Sequence, residues 1–469
     1  MRRVLWALVA LAASAVAGAC ELPRSGLAKA GDDGGGAGND ASVPLDGAMD
    51  VRMDDGPGPG DVASDTGSDV TGTDVVPTEA GSTGTVTIVN VGTVSNETGV
   101  GMGTHLIYAT NAKLWWLFWI DSTQTQTIQT SYSPDFVHWT AGGSLPLSLD
   151  LQGLGGNFSV AYSDVQGADV VHLTIGASGT TEPTRHHLHA RALVQGSTIT
   201  FGSIADLSDV MGSSDTDPDG PSTFVDSAGT VWDATGWSDA TGGVGNEAIS
   251  GSTSIEQGGA TWSDVFSSED NVYIAKGNIH SRAFATAGTN LLIALCDAAD
   301  TLAPTTSSSN VEWMSWDGAE WSGATDVFAG GKTQAPNDWG VATMTDGHMH
   351  VARRATDGSW DHVRYDGAAW TTLAAPPADT LGWATGQGAV LLASGTNAAI
   401  VTIAGDTANT VRMILWNNGV SWGQWTTLEG TTAPRGWVSG WSGATNNAVV
   451  WTEGDGTGRY RIMGRVLSF

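Results

Sequence analysis

From Thr85 onward, apolar and polar positions alternate in short runs broken by Gly, Asp, Asn and Ser. A period of two in runs of this length predicts half-buried β-strands. THLIYAT (104–110), DVVHLTI (169–175), HMHVAR (348–353) and AVLLAS (389–394) are examples. No stretch keeps the 3.6-residue period of an amphipathic helix, so the pattern predicts an all-β domain.

The strands recur as a unit. One phrase reads Trp316-Asp317-Gly318-Ala319-Glu320-Trp321 and returns as Tyr365-Asp366-Gly367-Ala368-Ala369-Trp370. Looser copies are Asn417-Asn418-Gly419-Val420-Ser421-Trp422 and Gln257-Gly258-Gly259-Ala260-Thr261-Trp262. Asp-Gly and Asn-Gly pairs suit the positive φ angles of a tight hairpin turn. The Trp that follows opens the next strand and can pack back over the turn.

Aligning the phrases places first strands near Thr104, Asn157, Pro221, Ile279, Trp339, Ala389 and Arg435, at intervals of about 46 to 64 residues. A repeat of that size, holding four short strands, predicts the blades of a β-propeller. The count is seven, and the uneven unit lengths also accommodate six or eight. After Asn447–Thr452 and Arg459–Phe469 the last unit lacks a strand, whereas Thr85–Val91 precedes the first unit without a hairpin partner. Pairing of these N- and C-terminal strands would close the ring and remove an exposed edge.

Residues 21–84 change the picture. They hold no Phe, Trp or Tyr and carry 13 acidic against 3 basic residues. Such a segment cannot bury enough apolar surface to offset its ordering entropy, so it reads as a disordered acidic linker. Ahead of it, Arg2 and Arg3 form a positive n-region, and Val4 to Val16 is an apolar stretch too short for an ordinary spanning helix. Ala17-Gly18-Ala19-Cys20 resembles the lipobox of bacterial lipoproteins, with Ala17 where leucine is usual. The resemblance implies cleavage before Cys20, lipidation of Cys20 and export; an ordinary signal peptide cut after Ala19 is the alternative. Glu21 is not the aspartate that retains such proteins at the inner membrane, which points to the outer membrane or cell surface of a Gram-negative bacterium. The expected organisation is a signal peptide at 1–19, lipidated Cys20 with its linker at 20–84, and the propeller at 85–469.

The chain carries a formal charge of −30, of which −22 falls on residues 85–469. A surface that negative repels phosphate backbones and excludes nucleic acid as a partner. It is compatible with a bound Ca2+, although solubility alone also explains it. Asp215-Thr216-Asp217-Pro218-Asp219-Gly220 is similar to half of a calcium loop without its distant glutamate. Cys296, in the apolar run LLIALC, reads as a small buried hydrophobe.

Ser133-Pro134-Asp135-Phe136-Val137-His138-Trp139 resembles the hairpin of five-bladed glycosidases and the Asp-box turn of sialidase-like propellers. The resemblance covers hairpins only. It implies propeller architecture and no activity: Gly103–Tyr108 lacks the catalytic Asp of the former, and the first arginine of residues 85–469 is Arg185, too late for the latter.

Propeller ligands bind where first strands begin. Trp339, Trp383 and Trp437 each adjoin a glycine there, and an indole at a rim can stack on a sugar face. Wedging between blades is the alternative role for each. Arg435, His105 and Asp219 lie at strand starts and join them as candidate ligand-binding residues. His280-Ser281-Arg282 sets a His and an Arg two apart on one strand, where Arg would neutralise a uronate and His remove the adjacent proton. Asp338 is the accompanying carboxylate. These three are the candidate catalytic residues. His187 and His189 share a strand face, yet no Cys or Asp neighbour in sequence completes a metal site. The leading expectation is a surface-tethered propeller that binds glycans. A polysaccharide lyase or glycoside hydrolase, and a scaffold for a protein partner, are the alternatives.

Overall fold

In a computed structural model the chain divides into two units, Met1–Asp74 and Val75–Phe469. The structure describes residues 84–94, 104–121, 124, 126–147, 158–164, 167–178, 185–207, 221–227, 229–238, 245–252, 272–273, 279–288, 290–297, 311–318, 321–322, 325–329, 338–355, 357–381, 388–405, 409–417, 419–430, 433, 435–454 and 459–469. Cys20, the linker, Asp219 and Trp383 lie outside the described residues.

The second unit is a β-propeller. It opens with β1 (Val86–Val94) and continues as successive antiparallel meanders. The first sheet is β2 (Leu106–Ala109), β3 (Leu114–Ile120), β4 (Thr127–Ser133) and β5 (Thr140–Pro146). The second is β6 (Phe158–Ser163), β7 (Asp169–Ser178), β8 (Arg185–Gln195) and β9 (Thr198–Asp206). The third is β10 (Ser222–Val225), β11 (Val231–Ser238), β12 (Gly245–Ser252) and β13 (Val272–Tyr273). The fourth is β14 (Ile279–Ala287), β15 (Asn290–Asp297), β16 (Val311–Trp316) and β17 (Thr325–Asp326). The fifth is β18 (Trp339–Thr343), β19 (Met349–Arg354), β20 (Trp360–Tyr365) and β21 (Trp370–Thr372). The sixth is β22 (Ala389–Ser394), β23 (Asn397–Ala404), β24 (Thr410–Asn417) and β25 (Ser421–Trp422), with β26 (Thr426–Gly430) also on β24. The last is β27 (Arg435–Ser442), β28 (Asn447–Gly454) and β29 (Tyr460–Leu467), and β1 fills its outer place.

That outer place closes the molecule. Val86 pairs with Gly464 and Thr87 with Met463. At this seam a Cβ on Gly464 would stand 2.7 Å from Ile88 Cδ1 and 3.0 Å from Phe136 Cζ, so a larger residue must displace one of those side chains. First strands touch in turn from β2 through β6, β10, β14, β18 and β22 to β27, and β27 touches β2. They surround a cavity of about 350 Å³ lined by Thr104 together with Tyr162, Phe224, Phe284, Leu392 and Trp441.

The repeated hairpins explain how neighbouring sheets hold together. Gly318 and Gly367 turn at φ 103° and 95°, as the Asp-Gly pairs require. The following tryptophans pack over the turn and also onto the preceding sheet. Trp321 meets Trp232 with ring centroids 5.8 Å apart, Trp370 meets Trp313 at 5.5 Å, and Trp422 meets His362 at 5.1 Å.

The first sheet uses a different turn. The Asp135 carboxylate accepts the backbone N–H groups of Val137 and His138, both at 2.8 Å. Phe136 takes φ 64° and is fully buried between Trp115 and Trp139. Burial alone would raise the pKa of Asp135. The His138 amide and ring, the Val137 amide and Ser133 outweigh it and hold the carboxyl well below its usual range.

Candidate functional site

Each sheet's first strand begins, and its second strand ends, on the same rim. Most of the long connections join strand ends on that rim: Val94 to Leu106, Pro146 to Phe158, Asp206 to Ser222, Asp297 to Val311, Asp326 to Trp339 and Thr372 to Ala389; the connection from Ser252 to Val272 leaves the opposite rim. The first-to-second-strand turns of the opposite rim are short throughout, as in Ala287 to Asn290 and Ser394 to Asn397. Strands fix positions on the first rim, and loops supply variety there.

Beneath that rim lie buried charges. Arg435 is buried and donates to Glu453 Oε2 from Nε at 3.1 Å and Nη2 at 2.9 Å. It also donates to the carbonyl oxygens of Asn409 and Glu429. The other Glu453 oxygen accepts from Arg461 Nε at 3.0 Å. One carboxylate thus balances two guanidinium groups, and burial pulls the pKa of Arg435 down against the opposing pull of Glu453. Asp338 is likewise buried and bound by Arg354, whose backbone N–H donates to the Asp338 carbonyl at 2.8 Å. Arg412 donates to Asp379 from Nε at 2.8 Å, and Arg353 donates to Asp361 while its guanidinium lies 4.1 Å over Phe328. Buried ions require such partners, since an unpaired one costs several kcal/mol.

The residues singled out from sequence fall in different surroundings. His105 is fully buried with its ring 4.1 Å from that of Phe158, and its backbone N–H donates to Ser439 Oγ at 3.2 Å. Burial pulls its pKa down to about 4, against a smaller opposing pull from the Phe118 backbone. Trp339 is 6% exposed and packs among Val327, Phe328 and Val351. This is the wedge arrangement rather than an open stacking platform. For Trp437, His280 and Arg282 the structure describes the strands but not the side chains. Both strands bulge there: register shifts fall between Gly436 and Val438 and between Ile279 and Ser281. The regular two-residue alternation is therefore interrupted at His280. Asp338, Arg435 and His105 belong to the fifth, last and first sheets, and none of the contacts above joins one of them to another.

The carboxylate partners of two histidine groups escaped the sequence reading. The missing neighbour of His187 and His189 is Asp233 on β11: its Oδ2 lies 2.7 Å from His189 Nδ1 and 3.9 Å from His187 Nε2. Its signal was a carboxylate inside the apolar run VWDAT. At the rim itself, His186 Nδ1 lies 2.7 Å from Asp206 Oδ2, with the two side chains 26% and 45% exposed. Among the described residues no group of three or more His, Cys, Asp or Glu is arranged to hold a metal ion.

No protein-family model matches the chain, and no characterised protein matches it by sequence. Solved structures similar in outline include a lectin from Burkholderia pseudomallei, with 9% identity, TM-score 0.48, and coverage of 68% of this chain and 81% of the lectin. Trypanosoma rangeli sialidase in complex with sialic acid gives 10% identity, TM-score 0.45, and coverage of 82% and 59%. A polysaccharide lyase described as an ulvan lyase gives 12%, 0.49, and 81% and 95%. Likenesses at this level concern the ring of sheets and bear on no residue or ligand.

Proposed function

We propose that this chain is an exported lipoprotein, anchored through Cys20 at the outer membrane or cell surface, whose seven-bladed propeller binds glycans on the rim of long connections. The sorting of loops by length carries the reading. The first-to-second-strand turns of one face are all short, whereas most of the long connections gather on the other. Trp383 lies in one of those connections, and Trp437 lies on β27 at the same rim. Aromatic rings there suit the apolar faces of sugars, and hydroxyl-directed polar groups fix their orientation. The seven-blade count rests on the seven sheets formed by the described residues. The hairpin of Ser133–Trp139 is read as an Asp-box turn, on the strength of its Asp135 hydrogen bonds.

The test is retention on a panel of immobilised polysaccharides. Wild-type protein is expected to be retained by at least one glycan, and Trp383→Ala and Trp437→Ala are expected to abolish retention without unfolding the domain. Absence of retention on every glycan would overturn the reading.

A polysaccharide lyase or hydrolase is the second reading, favoured by His186. Its ring is oriented by Asp206 and partly exposed on the rim, as a general base needs to be. That reading predicts ultraviolet-absorbing unsaturated products or new reducing ends, lost in His186→Ala.

A further inference from the structure

The six buried histidines of the described residues fall at three joints between sheets. His105 lies against Phe158, His172, His187 and His189 gather near Asp233, and His350 contacts His362, which rests on Trp416 and Trp422. The joint between the second and third sheets is the most constrained. Asp233 Oδ2 lies 2.7 Å from His189 Nδ1, and His189 Nε2 lies 3.2 Å from His172 Nδ1. All three side chains are buried. The ionisable groups facing His172 are His189 and Arg191 from β8 and Asp233 from β11; His187, also from β8, faces the same carboxylate.

This chain of contacts has a fixed proton capacity. Asp233 accepts the Nδ1 proton of His189. The facing nitrogens of His189 and His172 then share one proton across 3.2 Å. A further proton on His172 makes its ring a cation beside the Arg191 guanidinium, where little water screens the two. Asp233 offsets that charge only partly.

We propose that the joint between the second and third sheets is an acid-opened latch, closed while His172 is neutral and shares a proton with His189, and parted when the buried His172 ring takes up a second proton. Burial, with the nearby charges of His189 and Arg191, pulls the pKa of His172 down to about 3, and Asp233 opposes it only partly. A group held below its ordinary value of 6.5 takes up its proton more readily when exposed. Closure is therefore at full strength above pH 6.5 and weakens as pH falls toward about 3. Between pH 7 and 4.5 the opening equilibrium rises by roughly one to two orders of magnitude.

Hydrogen exchange on the full chain, corrected for the intrinsic effect of pH, tests the latch. On going from pH 7 to 4.5, β7, β8 and β11 are expected to lose protection at least about tenfold more than β28 and β29, which carry no histidine. His172→Phe keeps a ring without a titratable nitrogen and is expected to hold protection to lower pH. Asp233→Asn removes the balancing charge and is expected to lose it at higher pH. Equal loss in β28 and β29, or no acid-dependent loss in β7, β8 and β11, overturns the proposal from the wild-type data alone. A folded His172→Phe that opens at the wild-type pH overturns it as well.

Discussion

Trp321 sets its indole edge-on to that of Trp232 in the preceding sheet, with centroids 5.8 Å apart and planes at 88°. Trp316 completes the group at 5.5 Å from Trp232. The hairpin that ends one meander is thus also the fastener to the one before it, and the repeated phrase encodes the joint along with the turn. Truncation of Trp321 to Ala is expected to cost about 2–3 kcal/mol, below the loss for a fully buried tryptophan because the ring is partly exposed. Urea unfolding followed by fluorescence measures it. A change under about 0.5 kcal/mol would show that the edge-on pair adds nothing to the joint.

Closure of the ring makes a separate prediction. Gly464 lies opposite Val86, where a Cβ would crowd Ile88 Cδ1 at 2.7 Å and the Phe136 ring at 3.0 Å. Gly464→Val must push β1 off β29 or displace the buried Phe136 ring, and overpacking of this kind costs about 1–3 kcal/mol. Amide exchange in β1 is expected to rise far more than in β22 or β23. Uniform protection across these strands in the variant would remove the seam from the account of stability.

His105 gives a pH prediction that is independent of the latch. Its folded pKa is drawn down to about 4 from an ordinary 6.5 by burial. Below pH 6.5 the unfolded chain binds a proton that the folded one refuses, so stability declines from pH 6.5 to about 4 and no further on account of this group. The full difference corresponds to about 3 kcal/mol. His105→Phe, stacked against Phe158, is expected to flatten that part of the stability curve. Denaturant midpoints taken at half-unit pH steps provide the comparison, and an unchanged slope would show that His105 does not set it.

Strand positions were legible in the sequence because their signal is local. Ile279, Trp339, Ala389 and Arg435 begin β14, β18, β22 and β27 as the spacing of the hairpin phrases predicts. Turn glycines and a period of two need no knowledge of distant partners. Site residues were less legible because their partners are remote. His189 finds Asp233, 44 positions along the chain and one sheet away, and no spacing rule connects them. Trp339 shows the same limit in another form. A tryptophan next to a glycine at a strand start reads alike whether it faces a ligand or wedges under the rim, and only packing against Phe328 and Val351 distinguishes the two.

Arg435 separates a structural role from a ligand-binding one. Its guanidinium is bonded to Glu453 and to the carbonyl oxygens of Asn409 and Glu429, which leaves few N–H groups for a sugar. Removing one partner of a buried pair strands the other, at about 3–5 kcal/mol. Glu453→Gln is the sharper variant, because it leaves both Arg435 and Arg461 facing a neutral amide. It is expected to lower the unfolding midpoint steeply, and Arg435→Met to lower it less, since that change removes one excess cation and leaves Glu453 with Arg461. Glycan retention, measured well below either midpoint, is expected to stay at the wild-type level in Arg435→Met. A folded Arg435→Met that binds no glycan would instead make this arginine a ligand contact, and its hydrogen bonds to Glu453 the scaffold that aims it.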